Sequence, residues 1–549
     1  MQKVVTTAQM REIDRLTTEK YGIPSLQLME NAAQSVVDVI HELYEEVTAR
    51  DFLIVCGPGN NGGDGAAIGR LLADECARVT LVLVKNLAET KGDARINLEK
   101  FRDLSARSSG FLSFFECPDE SSWADFVTQH RGIEPDLIID ALFGTGLTRP
   151  LEGVFAAAVD FINDVYPNDP PVISVDIPSG LNSDDHRVPE RYVIADLTVS
   201  FTAPKIANSL VPASRCGGEL VITQIGSPPE FVDEAESKLF LTDETDAIDF
   251  LLSTPYLPGS FKNSHGHALI IAGSRDYLGA PVLCGDAAMQ SGAGLVTVAT
   301  PASALFGVAP RLMPEIITAT LAESDSGAVS FEARHLVEKL AQRATVIAVG
   351  PGLTSADPET KEFMRWLVEN RRQPLIIDAD GLNALAPWPD ELRGSEQLPI
   401  ILTPHPGEMR RLLGVDDLGT KPWETAATFA EKNHLIVVLK GERTVVIAPN
   451  GEIFINPTGN PGVGTAGAGD TMTGVIASFV AQDAALHHDP SDHDYEVNFV
   501  QDVQAAVYIS GMAADLAAAK SGMRAMTASD IRMHLSAAML ELDPHGERP

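Results

Sequence analysis

The chain has 549 residues, too many for one ordinary domain, and its composition, 44% hydrophobic and 21% charged, excludes a disordered or fibrous protein. Its 76 acidic against 41 basic residues leave a net charge of −35, which disfavours non-specific binding to nucleic acid or to anionic membranes. The five cysteines are scattered and form no C-x-x-C pair, Met1–Met10 holds no apolar signal-like run, and no stretch reaches the roughly 18–20 apolar residues of a membrane span. A soluble, cytoplasmic protein is expected.

In chain order, Ala8–Lys20 and Ser25–Val47 carry helical periodicity, with Pro24 at the start of the second. Short Val-, Ile- and Leu-rich runs then alternate with helical segments such as Asp64–Glu75. Phe52–Cys56, Val79–Val84, Leu137–Asp140, Val172–Asp176 and Leu197–Phe201 predict buried parallel strands. Between Gly226 and Gly259 the pattern lapses into a Pro-punctuated, acidic stretch, the best candidate for a domain boundary. A second series follows: Ala268–Ala272, Leu295–Ala299, Thr345–Val349, Leu375–Asp378, Ile400–Leu402, Ile436–Leu439 and Val445–Ile447. The fold class is therefore α/β, with two doubly wound domains. Ala485–Tyr495 interrupts the helical end of the second domain and is read as a mobile surface insertion rather than a metal site, despite its histidines and aspartates.

Ligands of such sheets bind beyond the carboxyl ends of the strands, so chemistry is sought there. The first strand runs into Gly57-Pro58-Gly59-Asn60-Asn61-Gly62-Gly63-Asp64-Gly65. Gly57, Gly59 and Gly62 satisfy G-x-G-x-x-G, but the next strand ends in Lys85 and Asn86 instead of a ribose-binding acid. Pro58 removes an amide donor, and Asp64 puts negative charge where a pyrophosphate would lie. Asp140 and Asp176 each end a strand and precede a glycine-containing turn. With the Asn pair and a Ser hydroxyl they could coordinate a hard cation through oxygen; the alternative is that they cap turns.

GPGNNGGDG, DALFGTGLTR and VDIPSGLNSD, with the leading TAQMREIDRLTTEKYGIPSLQLMENAA, resemble NAD(P)H-hydrate epimerases. The resemblance implies a Rossmann-like domain over residues 1–237. It further implies that hydrated NADH or NADPH is held by Asn60, Asn61, Gly62, Gly63, Asp64, Gly144, Thr145, Gly146, Leu147, Thr148, Arg149, Pro150 and Asp176. Potassium would be bound by Asn61, Asp140 and Ser179. Either Asp140 or Lys85 is expected to move the proton as the hydroxyl-bearing carbon inverts.

Downstream, Asn460-Pro461-Gly462-Val463-Gly464-Thr465-Ala466-Gly467-Ala468-Gly469-Asp470 leads into an apolar helical run. Unpaired amides and the helix dipole make such a start an anion site, and glycine lets the amides come close. Asp470 sets an acid inside that cradle, the pattern of proton transfer beside a phosphate. His405 between two prolines in Thr403–Glu408, and Lys440 after a strand, belong to the same rim. This half resembles the ADP-dependent NAD(P)H-hydrate dehydratases of the ribokinase-like superfamily, over residues 243–545. The resemblance implies a nucleotide at Lys440, Gly441, Glu442, Arg443, Thr444 and Gly469, and the hydrated dinucleotide at Ala280, Gly352, His405 and Asp470, with Asp470 as general base. ADP as co-substrate, Mg2+ at this site and a homo-oligomeric assembly are part of the same expectation. Ala468 departs from the family, whose members often have Ser. Two other readings are a ribokinase-like small-molecule kinase with an accessory N-terminal domain, which shares the Gly-x-Gly-Asp cradle, and a non-catalytic dinucleotide sensor. The N-terminal motifs and the Thr403–Glu408 loop speak against the first, and the carboxylates Asp140, Asp176 and Asp470 against the second.

Overall fold

A computed structural model of the chain describes residues 1–108, 110–130, 132–164, 166, 170–486 and 497–543. The contacts divide the chain into two compact units, Gln2–Ser237 and Lys238–Pro549, the second also taking in Met1. Most of the Ala485–Tyr495 insertion lies outside the described residues.

In the first unit seven strands form one parallel sheet: β1 (Asp51–Cys56), β2 (Arg78–Leu83), β3 (Leu112–Glu116), β4 (Leu137–Ala141), β5 (Val172–Val175), β6 (Leu197–Phe201) and β7 (Glu219–Thr223), in the order β3-β2-β1-β4-β5-β6-β7. The strands are nearly continuous apolar runs because helices cover both faces; Val36, Ile40, Ile54, Ile68 and Phe101 fill one side, and Val55, Ile138, Val159 and Phe161 the other. The order reverses between β1 and β4. Two loops therefore part at their carboxyl ends and leave a crevice there.

The second unit contains β8 (Leu239–Leu241), β9 (His267–Ile271), β10 (Leu295–Pro301), β11 (Ile317–Leu321), β12 (Val346–Val349), β13 (Leu375–Ile377), β14 (Ile400–Leu402), β15 (Ile436–Leu439), β16 (Val445–Ile447) and β17 (Ile453–Ile455). Their order is β8-β17-β16-β15-β14-β13-β12-β9-β10-β11, parallel except where β16 pairs antiparallel with both β15 and β17. Its reversal falls between β9 and β12. The helix Ala468–Leu486 is the spine of the core, with Val475, Ile476, Phe479 and Val480 inaccessible and Phe479 stacked on Phe250 at 4.0 Å.

Every expected strand is present within a residue or two of its expected bounds. Among the described residues six more were not expected: β3, β7, β8, β11, β17 and the two-residue strand Gln2–Lys3. Most are weakly covered; β11 is exposed at three of five positions and β7 is nowhere fully buried, so neither has the unbroken apolar run of a central strand. The helix expected from Asp64 begins at Asn60, so the Asn pair and Gly62-Gly63 form its first turn instead of a loop. The acidic stretch 226–259 also has structure, with helices Pro229–Asp233 and Glu244–Ser253 around β8.

Candidate functional sites

The first crevice is floored by a close backbone crossing. A Cβ on Gly62 would stand 1.9 Å from the Gly57 carbonyl oxygen, and one on Gly57 would stand 1.9 Å from that of Leu142. Only glycine lets the three segments meet, and their meeting brings the first turn of helix Asn60–Asp74 against the loop after β4.

Asp140 is wholly buried there. Its Oδ1 accepts from Ser179 Oγ at 2.6 Å and Leu142 N at 3.3 Å, and its Oδ2 from Ser174 Oγ and Ser179 N, each at 2.8 Å. Burial pushes its carboxyl up, and these four neutral donors oppose that. Ser179 Oγ also accepts from the Phe143 amide at 2.8 Å. Asn61 is buried, its Nδ2 has no hydrogen-bond partner among the described residues, and its Oδ1 lies 3.0 Å from the position of a Cβ on Gly144. Asp176 Oδ2 lies 3.3 Å from the same position. Asn61, Gly144 and Asp176 are thus brought together, with Asp140 and Ser179 bonded to each other.

Asp64, in the same helix start, is buried with no hydrogen-bond partner among the described residues, and desolvation, followed by the charges of Asp176 and Asp14, pushes its carboxyl well above the carboxylate range. Asn60, Gly146, Thr148, Arg149 and Pro150 are exposed on the rim, Gly63 is packed under it, and Thr145 is half-buried. Leu147 instead turns into the hydrophobic core, where it anchors the loop. Lys85 is not gathered in: its ammonium is held by Glu89 at 2.9 Å.

Three residues that sequence reasoning missed belong to this site. Lys205 is 1% exposed and reaches Asp176 Oδ1 at 2.6 Å. Asp14 has a buried Oδ1 with no hydrogen-bond partner among the described residues, and its carboxyl is pushed up to about 6 by burial. Arg11 Nη2 comes within 3.9 Å of a Cβ placed on Gly146. The helix Thr7–Tyr21 delivers Arg11 and Asp14 because Thr7 bonds Ser183 Oγ at 2.6 Å and Asp184 at 2.7 Å. No local motif announces such a contact across about 177 residues; a lysine in an otherwise apolar FTAPK run was the one available signal.

In the second unit the reversal point sits between the loop after β9 and that after β12. Gly352 (φ 69°) stands there against Tyr277 and Ala280, so both expected substrate residues line one wall. Next to them Lys440 Nζ bonds Asp378 Oδ1 at 2.7 Å. Thr403 donates to the same oxygen at 2.7 Å and Thr473 to Oδ2 at 3.0 Å. Burial alone would raise the Asp378 carboxyl, but Lys440 and the two hydroxyls hold it below the usual carboxylate value. Burial likewise works against the Lys440 ammonium, but Asp378 and Glu408 carry it above the ordinary lysine value.

Gly469 has Lys440 Nζ 3.2 Å from where its Cβ would be. Asp470 follows in the first turn of Ala468–Leu486, and burial and then the Asp378 charge push its carboxyl up to about 7, against the pull of Lys440. The amides of Gly467, Gly469 and Asp470 have no backbone acceptor among the described residues, so an anion-binding helix start and a carboxyl that titrates near neutrality share one place. His405 is exposed and caps its helix, Nδ1 accepting from the Gly407 amide at 2.9 Å, while Nε2 lies 3.5 Å from Glu408 Oε1. Gly441–Thr444 is the hairpin turn between β15 and β16, closed by Thr444 Oγ1 on Gly441 O at 3.0 Å. Glu442 is exposed there, and Arg443 turns inward to Pro457 O at 3.2 Å. Asp378, Thr403, Glu408 and Thr473 complete the centre; the segments Asp378–Asn383 and Thr403–Glu408 were expected at this rim, but none of these four side chains had been given a role.

The family model described as NAD(P)H-hydrate dehydratase matches residues 268–536, and that described as a YjeF-related protein N-terminus matches residues 25–207. A bifunctional NAD(P)H-hydrate repair enzyme of Moorella thermoacetica is 37% identical over 99% of this chain and 98% of its own. The one from Escherichia coli is 31% identical over 95% of this chain and 91% of its own. Among solved structures, the Bacillus subtilis ADP/ATP-dependent NAD(P)H-hydrate dehydratase co-crystallised with ATP/Mg2+ is 28% identical, covering 55% of this chain and 99% of that one, with a TM-score of 0.45.

Proposed function

This chain belongs to the bifunctional NAD(P)H-hydrate repair enzymes, and on that premise we propose how its two sites divide the work. Residues 1–237 interconvert the two epimers of hydrated NADH or NADPH, and residues 243–545 dehydrate the S epimer at the expense of ADP. The family-model matches and the two contact units support this division.

The observation that carries the dehydratase reading is the neutral-range carboxyl of Asp470 beside an anion-binding helix start and the Lys440–Asp378 pair. Asp470 takes the proton of the ring hydroxyl, whose oxygen attacks the terminal phosphorus of ADP as AMP departs. The C–O bond then breaks with its electron pair going to phosphate, and loss of a proton from the neighbouring carbon restores the ring double bond. The amides of Gly467, Gly469 and Asp470, with Lys440, hold the phosphoryl oxygens as charge develops on them. Gly441, Glu442, Arg443 and Thr444 border the nucleotide, and Ala280, Gly352 and His405 the damaged ring.

In the first unit the substrate lies over Asn60–Asp64 and Gly144–Pro150. Potassium would be held by Asn61, Asp140 and Ser179. These residues fit it: the donors are all oxygens, and Asp140 is a buried carboxylate balanced only by neutral donors. The ion would supply the missing positive charge and fix the loop. Mg2+ is different. Asp378 is already paired with the Lys440 ammonium, and among the described residues no group of three or more His, Cys, Asp or Glu could hold a metal. It would arrive on the nucleotide phosphates.

A cytoplasmic homo-oligomer is the setting we propose. All five cysteines are free, which supports a reducing compartment, and light scattering tests the assembly. The helices of the described residues include none long and apolar enough to cross a membrane. The deciding experiment supplies both hydrate epimers with ADP or ATP and follows reduced-nicotinamide absorbance. Full recovery with ADP is expected; no recovery with either nucleotide removes the dehydratase reading, and recovery that stalls near half removes the epimerase one.

A further inference from the structure

Two adjacent strands of the first unit end in the same unusual way. After β5 the Ile177 amide bonds Val175 O at 2.9 Å around Asp176, whose φ is 68°. After β6 the Ala203 amide bonds Phe201 O at 2.7 Å around Thr202, whose φ is 67°. Each is the φ-positive form of the γ-turn, rare and strained for a residue with a side chain. Such strain persists where the surroundings over-determine it, and it gathers at working sites.

These turns bring an aspartate and a lysine face to face. Lys205 Nζ donates to Asp176 Oδ1 at 2.6 Å, Ser200 Oγ at 2.9 Å and Phe201 O at 2.9 Å, so its three protons are all committed. No donor is left for a substrate. Asp176 keeps Oδ2 turned to Gly144 and Asn61, in the crevice. Within reach of its charge Asp64 is buried, with no hydrogen-bond donor among the described residues, and Asp14 adds a third carboxyl. Asp14 feels the Lys205 ammonium and the Asp176 carboxylate, and Cys56 feels Asp64 and Asp140. One carboxyl is thus bonded to an ammonium with an oxygen left facing the crevice, and the other is buried with no cation bonded to it, where desolvation favours its protonated form.

We propose that Lys205 is a positioning residue of the epimerase, holding Asp176 as the proton acceptor while Asp64 is the proton donor. This rests on the epimerase reading above and replaces Asp140 and Lys85 as the residues that move the proton. Hydration of the nicotinamide ring puts the hydroxyl on a carbon next to the ring nitrogen. Asp64 gives its proton to that hydroxyl, which leaves as water with the C–O bonding pair, while the nitrogen lone pair forms a C=N bond. A second water adds to the other face, the C=N pair returns to nitrogen, and the added water loses a proton to Asp176. One water leaves and one enters, and the protonation states left behind suit the reverse conversion.

The test uses the full chain and one purified epimer of hydrated NADH, with interconversion followed by chromatography and calorimetric unfolding of each variant against the wild type as a measure of folding. Asp176→Asn and Asp64→Asn are expected to lower kcat by at least ~100-fold with KM changed less than ~3-fold. Lys205→Met lowers kcat ~10–100-fold, and the Lys205→Met/Asp176→Asn double variant loses no more than Asp176→Asn alone, since groups acting as a unit are non-additive. If either aspartate variant keeps wild-type kcat, or the double variant shows multiplied losses, the proposal fails. Should Lys205→Met not fold, Ser200→Ala, which loosens the lysine, takes its place in the cycle under the same criteria. A wild-type protein that interconverts nothing overturns the epimerase reading instead.

Discussion

Asp470 shows how much a single position can carry. Its carboxyl titrates near 7 because burial and the Asp378 charge oppose ionisation more strongly than Lys440 favours it. As a general base it works only when deprotonated. The dehydratase kcat/KM is therefore expected to climb about tenfold per pH unit below 7 and to level off above it, read from a pH–rate profile with ADP and the S epimer. The same shift costs stability. The folded state binds this proton more tightly than the unfolded state, whose aspartate titrates at its ordinary 3.8, so stability is lost as pH rises from about 4 to 7 and the loss is complete above that. Three pKa units correspond to roughly 4 kcal/mol as an upper bound. Asp470→Asn, which cannot ionise, is expected to abolish dehydration, to melt higher than the wild type at pH 8 and to match it near pH 4.5. An unchanged melting temperature at pH 8 would show that the charge is better compensated than the geometry indicates.

At the scale of elements, close approach of backbones sets the sites. The helices Ala280–Gln290 and Ala468–Leu486 meet at Gly474, where a Cβ would lie 2.2 Å from the Cys284 carbonyl oxygen. One helix carries Ala280 and the other Asp470, so their separation sets the width of the dehydratase pocket. Gly474→Val is expected to destabilise that unit by about 1–3 kcal/mol, more than the few tenths that valine gains over glycine in helix propensity, and to lower dehydratase kcat while epimer interconversion is unchanged. Calorimetry with both assays checks it. The central strands were legible at this scale because burial on both faces writes unbroken Val, Ile and Leu runs, as in Ile436–Leu439. β11 and β7 were not, since a thinly covered strand takes polar residues and loses its pattern. The start of the helix at Asn60 was also hidden, because Asn-Asn-Gly-Gly has poor helix propensity and is held by its backbone contact with Gly57.

Across the whole molecule, two units each build a crevice at a reversal of strand order and fill it with different chemistry. Their activities are expected to separate cleanly. From an equal mixture of epimers, Asp176→Asn should recover only about half the cofactor promptly, while Asp470→Asn should recover none yet still interconvert the epimers; chromatography of the residual substrate distinguishes the two. The sequence by itself determined the α/β class, the central strands, the glycine-rich helix starts and the family, because these are written in local runs and contiguous motifs. It also picked out Asp470 and Lys440, each next to a recognisable turn or strand end. Only the tertiary structure decided which charged groups face one another. Lys205 meets Asp176 across 29 residues, and Asp378 meets Thr473 across 95. It likewise withdrew Lys85 to Glu89 and turned Leu147 into the core. The reason is physical: a side chain's charge state and direction depend on the burial and the partners that folding assembles, and those partners are far away in the chain.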